Sequence, residues 1–147
     1  MTDKTRGTFS AEPLVRLLVH KGEDRRVRLE ETLVYTNARG ESAAVFKGRE
    51  SDGGSIPRAL WWLIGSPLTG DYRRGCLVHD ALCIDRGRWD LAIGFVPMSS
   101  AEVHEWLRDM LEADGCAPWR TPAIYRGVSW FGPRWQKQKI TIDNGGE

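Results

Sequence analysis

Three apolar stretches decide the reading of the fold: Leu14-Val15-Arg16-Leu17-Leu18-Val19-His20, Val27-Arg28-Leu29-Glu30-Glu31-Thr32-Leu33-Val34-Tyr35-Thr36 and Ala43-Ala44-Val45-Phe46-Lys47. They are rich in β-branched and aromatic residues, and Lys21-Gly22-Glu23-Asp24 and Asn37-Ala38-Arg39-Gly40 separate them with turn-forming side chains. The pattern predicts a three-stranded antiparallel meander. Length alone would let the first stretch be a helix, but Pro13 before it and the turn residues after it favour a strand.

Beyond residue 50 the period changes to that of helices. Glu50-Ser51-Asp52-Gly53-Gly54-Ser55 is a small-residue loop, and Ser55 can cap a short helix with Pro57 in its first turn and Leu60, Trp61 and Ile64 on its apolar side, ended by Gly65 and Pro67. Two consecutive tryptophans cannot both face inward on so short a helix, so one of Trp61 and Trp62 lines a cleft or an interface. Thr69-Gly70-Asp71 opens a second helix running to about Asp85, with Tyr72, Cys76, His79 and Cys83 on one stripe and Leu77, Asp80 and Ile84 on the next. Residues 87–97 read as a loop with a short apolar piece at 91–96. A third helix over 99–114 has capping-box spacing at Ser99 and Glu102, a helical run of Val103, Trp106, Leu107, Met110 and Leu111, and Gly115 to close it. A fourth helical piece spans 122–130. The expected fold is therefore α+β: a small N-terminal antiparallel sheet of about three strands packed against three to four helices. Its expected organisation is a flexible start at 1–9, a single domain at 10–135 and a loosely ordered tail at 136–147.

The composition narrows the class of protein. A chain of 147 residues buries roughly 70% of its unfolded surface and can hold one core. Its 41% hydrophobic and 28% charged fractions match a folded globular chain, and no apolar run reaches the ~20 residues of a membrane span. Twenty-one basic and twenty acidic residues leave a net charge of +1, so no global field selects nucleic acid as a partner. Three cysteines, Cys76, Cys83 and Cys116, are too few for a secreted disulfide framework and favour a reducing compartment. The polar stretch from Met1 to Thr8 lacks the apolar core of a signal peptide. A cytoplasmic protein is the expectation.

Two constellations can carry chemistry. His79 and Asp80 are adjacent titratable groups inside an apolar helical run, and burying them without partners would cost several kcal/mol. A catalytic explanation makes His79 a general base that activates water while Asp80 holds a metal ion. A structural explanation hydrogen-bonds His79 in the core and pairs Asp80 with an arginine such as Arg58 or Arg73. The second constellation is the loop Asp52-Gly53-Gly54-Ser55, whose glycines allow close backbone approach, whose Asp52 offers a hard oxygen to a cation such as calcium, and whose Ser55 could orient a substrate or stabilise an oxyanion. The same loop also reads as a plain strand-to-helix connection. A zinc site from Cys76, His79 and Cys83 is disfavoured, because seven residues of helix separate the two thiols by about 10 Å. The aromatic set Trp61, Trp62, Trp106, Tyr125, Trp130 and Phe131 reads mainly as core.

Taken together, Asp52-Gly53-Gly54-Ser55-Ile56-Pro57, Trp61-Trp62, Val78-His79-Asp80-Ala81-Leu82 and the stretch from Tyr125 to Gly132 resemble an uncharacterised family known as domain of unknown function 1353. The likeness covers roughly residues 10–133. It implies a phage or prophage setting, in the cytoplasm of a bacterial host or on a virion, and one site shared by the loop and the helix, and it brings no established reaction. Relatives of this kind usually carry an acid on the next helix at the position of Val103. Here Glu102 is only adjacent to that position, and Cys83 stands where an aromatic often follows the His-Asp motif. Cys76-x-x-His79-Asp80 is also similar to the active-site helix of secreted phospholipases of the A-two type, in which His activates water and the adjacent Asp binds calcium. His-Asp phosphohydrolases use a comparable pair but need further metal ligands, for which His20 in a strand is a poor candidate. The expected function is a metal-assisted hydrolase with His79, Asp80 and Ser55 as catalytic residues and Asp52 and Asp80 as ligands of a divalent cation, calcium or zinc. The alternative is a non-catalytic virion or lysis-cassette accessory protein. Its partner would be another phage protein rather than nucleic acid.

Overall fold

The computed structural model describes residues 6–18, 26–51, 56–64 and 72–139. The class is α+β, as the sequence predicts. The N-terminal strands, however, build two small sheets rather than one meander. One sheet has the order β1 (Thr8–Phe9), β4 (Leu33–Thr36), β5 (Ser42–Val45), and the other β2 (Val15–Leu18), β3 (Arg26–Leu29), β6 (Glu50–Ser51). All pairings are antiparallel, with Val15 opposite Leu29, Thr8 opposite Thr36 and Leu33 opposite Val45.

The stretch 27–36, expected as one strand, is interrupted at Glu30-Glu31-Thr32 and changes sheet there. Two consecutive glutamates cannot both turn away from a core in an unbroken strand, and the chain bends so that Glu31 and Thr32 lie exposed. Leu29 and Leu33, on either side of the break, are an even four residues apart, so Val27, Leu29, Leu33 and Tyr35 all still face inward. The turn between β4 and β5 is the Asn37-Gly40 signal at work. Asn37 Oδ1 accepts from the backbone N–H of Arg39 and of Glu41, both at 3.0 Å, and Gly40 takes the left-handed φ of +80°.

A 3-10 turn at Arg58–Leu60 leads into α1 (Trp61–Ile64). Trp61 packs against the helical core and donates through Nε1 to Ile56 O at 3.1 Å, whereas Trp62 is 78% exposed. The predicted division of labour between the two tryptophans is therefore present. The Ser55 cap and the Gly65 and Pro67 stop lie outside the described residues. Next comes α2 (Arg73–Asp85), in which every residue from Gly75 to Leu82 is buried. A helix buried on all sides lies at the centre of a fold, not on its surface, and that position encloses the His-Asp pair.

The stretch 87–97, expected as a loop, forms a hairpin of β7 (Gly87–Asp90) and β8 (Gly94–Pro97). Its turn is held by Asp90, whose Oδ1 accepts from the N–H of Ala92 and Ile93 while Oδ2 accepts from Ser42 N and from Arg88. Leu91 and Ile93 thus sit exposed at a tip, although as apolar residues they suggest a strand.

Helix α3 (Ser100–Ala113) begins as predicted, with Ser99 Oγ accepting from Glu102 N, and is closed by Gly115 at φ +78°. Helix α4 (Arg120–Phe131) is two residues longer at its start than the sequence suggests. Two clusters fill the interior. Leu29, Leu33, Tyr35, Val45, Val78, Leu82, Val103, Trp106 and Met110 join both N-terminal sheets to α2 and α3, and Ile56, Cys76, Leu107, Leu111, Ile124 and Val128 join the helices to one another. Helices α2 and α3 come close enough that a Cβ on Gly75 would lie 3.4 Å from Met110 Cβ. No helix among the described residues is long and apolar enough to cross a membrane.

Candidate functional site: the buried His79-Asp80 pair

Because α2 is buried all round, adjacent residues on it meet different neighbours, and the pair diverges. Asp80 points toward the second sheet, where its Oδ2 accepts from Ser51 Oγ at 2.7 Å. His79 points toward α3, where its Nε2 lies 3.0 Å from Nδ1 of His104. The imidazole of His79 has no solvent exposure at all, and Asp80 and His104 are each 3% exposed.

The protons in this chain can be assigned from its far end. His104 Nε2 lies 3.0 Å from the carbonyl oxygen of Pro133, which can only accept, so Nε2 of His104 carries the proton. A neutral His104 then has its lone pair on Nδ1, and it is His79 Nε2 that donates to it. The lone pair of His79 is thereby fixed on Nδ1. Cys83, one helical turn on, sits against the same ring, with Sγ 3.6 Å from Nε2 and 3.9 Å from Nδ1. Burial, and secondly the neighbouring His104, push the imidazolium form of His79 down to a pKa of about 3. Burial likewise depresses His104, with Arg134 adding to that effect and the bond to Pro133 opposing it. Both rings are therefore neutral at physiological pH.

The structure brings together only part of the predicted site. His79 and Asp80 are both buried, on diverging sides of one helix. Asp52 and Ser55 lie outside the described residues, as does the side chain of Arg58, one of two arginines expected to face Asp80. The other, Arg73, donates to Glu12 at 3.0 Å. Among the described residues no three His, Cys, Asp or Glu side chains converge closely enough to hold a metal ion. Cys76 packs in the helical core, where burial raises its thiol pKa.

The residue that sequence reasoning passed over is His104. Val103 is fully buried in the apolar cluster, Glu102 pairs outward with Lys137 at 2.7 Å, and His104 meets His79. A signal for it was present. Ser100, Val103, His104, Leu107 and Leu111 follow the i, i+3, i+4, i+7 spacing of the buried stripe, and a histidine there needs a partner.

A small α+β domain with a histidine pair bridging two central helices is the class that fold and site define. The chain belongs to the family described as protein of unknown function, DUF1353, whose model matches residues 27–128. It is similar to two uncharacterised proteins of Sinorhizobium fredii. One, y4jT, is 27% identical over 93% of this chain and 38% of its own length, and the other, y4iH, is 28% identical over 78% of this chain and 44% of its own. The chain thus spans less than half the length of these curated relatives. No solved structure matches it.

Proposed function

We propose that this chain works as a non-catalytic accessory protein in which the His79-Asp80 pair is a structural brace. One observation carries the reading: the His79 ring is wholly enclosed, with Nε2 committed to His104 across the contact between α2 and α3. A general base must meet its substrate and exchange a proton with it near the working pH. Held near 3, His79 stays neutral and enclosed throughout the physiological range. What the pair does instead is cross-link. Through His104 and Pro133 it ties α2 to α3 and to the segment after α4, and through Asp80 and Ser51 it ties α2 to β6. Buried hydrogen-bonded networks of this kind rigidify a core. A virion or lysis-cassette component is the setting the family resemblance adds to this reading.

A metal-assisted hydrolase is the second reading, and the proton assignment favours it. His104 leaves Nδ1 of His79 as the lone-pair atom, the form a base requires, and Asp80, next in the chain but turned toward β6, would with Asp52 hold a divalent cation, calcium or zinc, that polarises water or substrate. Ser55 would then orient the substrate. The variant His79→Gln separates the two readings. The accessory reading expects a lowered melting temperature and a parent protein inert across ester, amide and phosphodiester substrates. A parent that hydrolyses one of them, and loses ~10²-fold or more of that activity in a stably folded His79→Gln variant, establishes the enzyme instead. Titration of calcium and zinc, followed by tryptophan fluorescence in parent and Asp52→Asn, tests the cation part separately.

A further inference from the structure

From residue 115 to residue 142 the chain contains no aspartate or glutamate, yet it carries Arg120, Arg126, Arg134, Lys137 and Lys139. With a net charge of only +1 overall, the remainder of the protein is therefore negative. The global neutrality noted from composition conceals a strongly segregated surface.

Helix α4 is the helical part of that segment among the described residues. Its inner face buries Thr121, Ile124, Gly127 and Val128. Trp119, at its N-cap, and Arg126 and Trp130 follow at i, i+7 and i+11, which places them within about 40° of one another on the outer face. Trp119 is 65% exposed, Trp130 63%, and Phe131, at the end of the helix, 74%. The 3-10 turn that leads into α1 packs alongside, its Leu60 seated where a Cβ on Gly127 would clash, and Trp62 on α1 is the most exposed aromatic of the described residues. Four large aromatic side chains thus stand in water on two adjoining helices. Lys137 is neutralised by Glu102, but Arg120, Arg126 and Arg134 have no carboxylate within ion-pair distance among the described residues. Arg120 lies instead over the Trp119 ring, 5.1 Å from its centroid.

We propose that the outer face of α4, flanked by Trp62, docks on the surface of an anionic phospholipid bilayer. Indole and phenyl rings settle at the headgroup level, where one edge is apolar and the other wet, and arginines between them pair with lipid phosphates. The helix lies in the interface and does not span it. A second copy of the chain is a poor occupant, because a two-fold contact would set Arg126 against its own counterpart. Single-stranded nucleic acid fits less well, because it is bound in a basic groove, and this face is the convex side of one helix with few cations spread among aromatics.

The experiment is co-sedimentation of the full chain with vesicles of phosphatidylcholine alone and of phosphatidylcholine with an equal part of phosphatidylglycerol. The expected result is binding to the anionic vesicles that weakens at high salt. The triple variant Trp119→Ser, Trp130→Ser, Phe131→Ser should bind at least about tenfold less, and Arg126→Gln about fivefold less, from the loss of one surface cation. All four positions carry exposed or outward side chains, and unchanged melting temperatures will show that the variants fold. Equal partition to both vesicle types, no partition to either, or unaltered binding by the folded triple variant would overturn the proposal. So would tighter binding of a single-stranded oligonucleotide that the same substitutions abolish.

Discussion

Acidification should unlock the His79 brace, and the size of the effect follows from its burial. The pKa of His79 is about 3 in the native chain against 6.5 for a solvated histidine, a depressed value. Stability from the neutral, buried form is therefore complete above 6.5 and is lost as pH falls from 6.5 toward 3, because the unfolded chain takes up a proton that the native one refuses. One such group removes about 1.4 kcal/mol per pH unit within that window, or about 2 kcal/mol between pH 7 and pH 5. His104 is shifted the same way and adds to the slope. Urea denaturation of the parent at pH 7, 6 and 5, set beside His79→Gln, isolates the contribution of His79, since every other titrating group is common to both. The variant should start lower at pH 7, by about 1–3 kcal/mol for a disrupted buried hydrogen bond, and then lose about 2 kcal/mol less than the parent on going to pH 5. Parallel pH profiles for the two proteins would refute the reasoning.

Three further outcomes follow from the packing. Trp106→Ala should cost about 3–5 kcal/mol in a denaturation curve, because the ring is only 6% exposed, edge-on to Tyr35 at 5.8 Å and beneath Arg88. Arg88→Met should cost about 3 kcal/mol or more, because the buried guanidinium donates to Asp90 at 2.6 Å and to Ser42 O at 2.8 Å, and the Asp90 carboxyl, held below the usual carboxylate range chiefly by the Ser42 and Ala92 N–H groups, would remain without it. His104→Leu should destabilise by about 1–3 kcal/mol, leaving the Nε2–H of His79 without its acceptor, while His104→Asn, which keeps an acceptor, should lose less in the same thermal melt.

Helix α3 was legible because every signal in it agrees: a Ser99 cap, a heptad-like apolar stripe and a closing glycine. The inward alternation of Val27, Leu29, Leu33 and Tyr35 was legible too, but not the change of sheet at Glu30-Glu31, since the even four-residue step from Leu29 to Leu33 leaves the period intact. The β7–β8 hairpin was missed because its apolar tip, Leu91 and Ile93, imitates strand interior. Its true organiser is Asp90, whose bonds to Ser42 and Arg88 are partly long-range. Around the site, the titratable pair was visible as an anomaly in an apolar run. Its partners, His104, Pro133 and Ser51, lie 25, 54 and 28 residues from His79, and nothing local encodes such contacts. Of the partners, His104 alone left a trace, through its place on the buried stripe of α3.

The brace requires His79 to be a neutral, enclosed donor to His104, and nitrogen-15 correlation spectra of the imidazole groups between pH 5 and pH 8 observe that directly. His79 should show a proton on Nε2 and a lone pair on Nδ1 throughout, with no titration midpoint in the range. A midpoint between 6 and 7, with the ring exchanging protons freely with solvent, would contradict it and return His79 to the role of a working base.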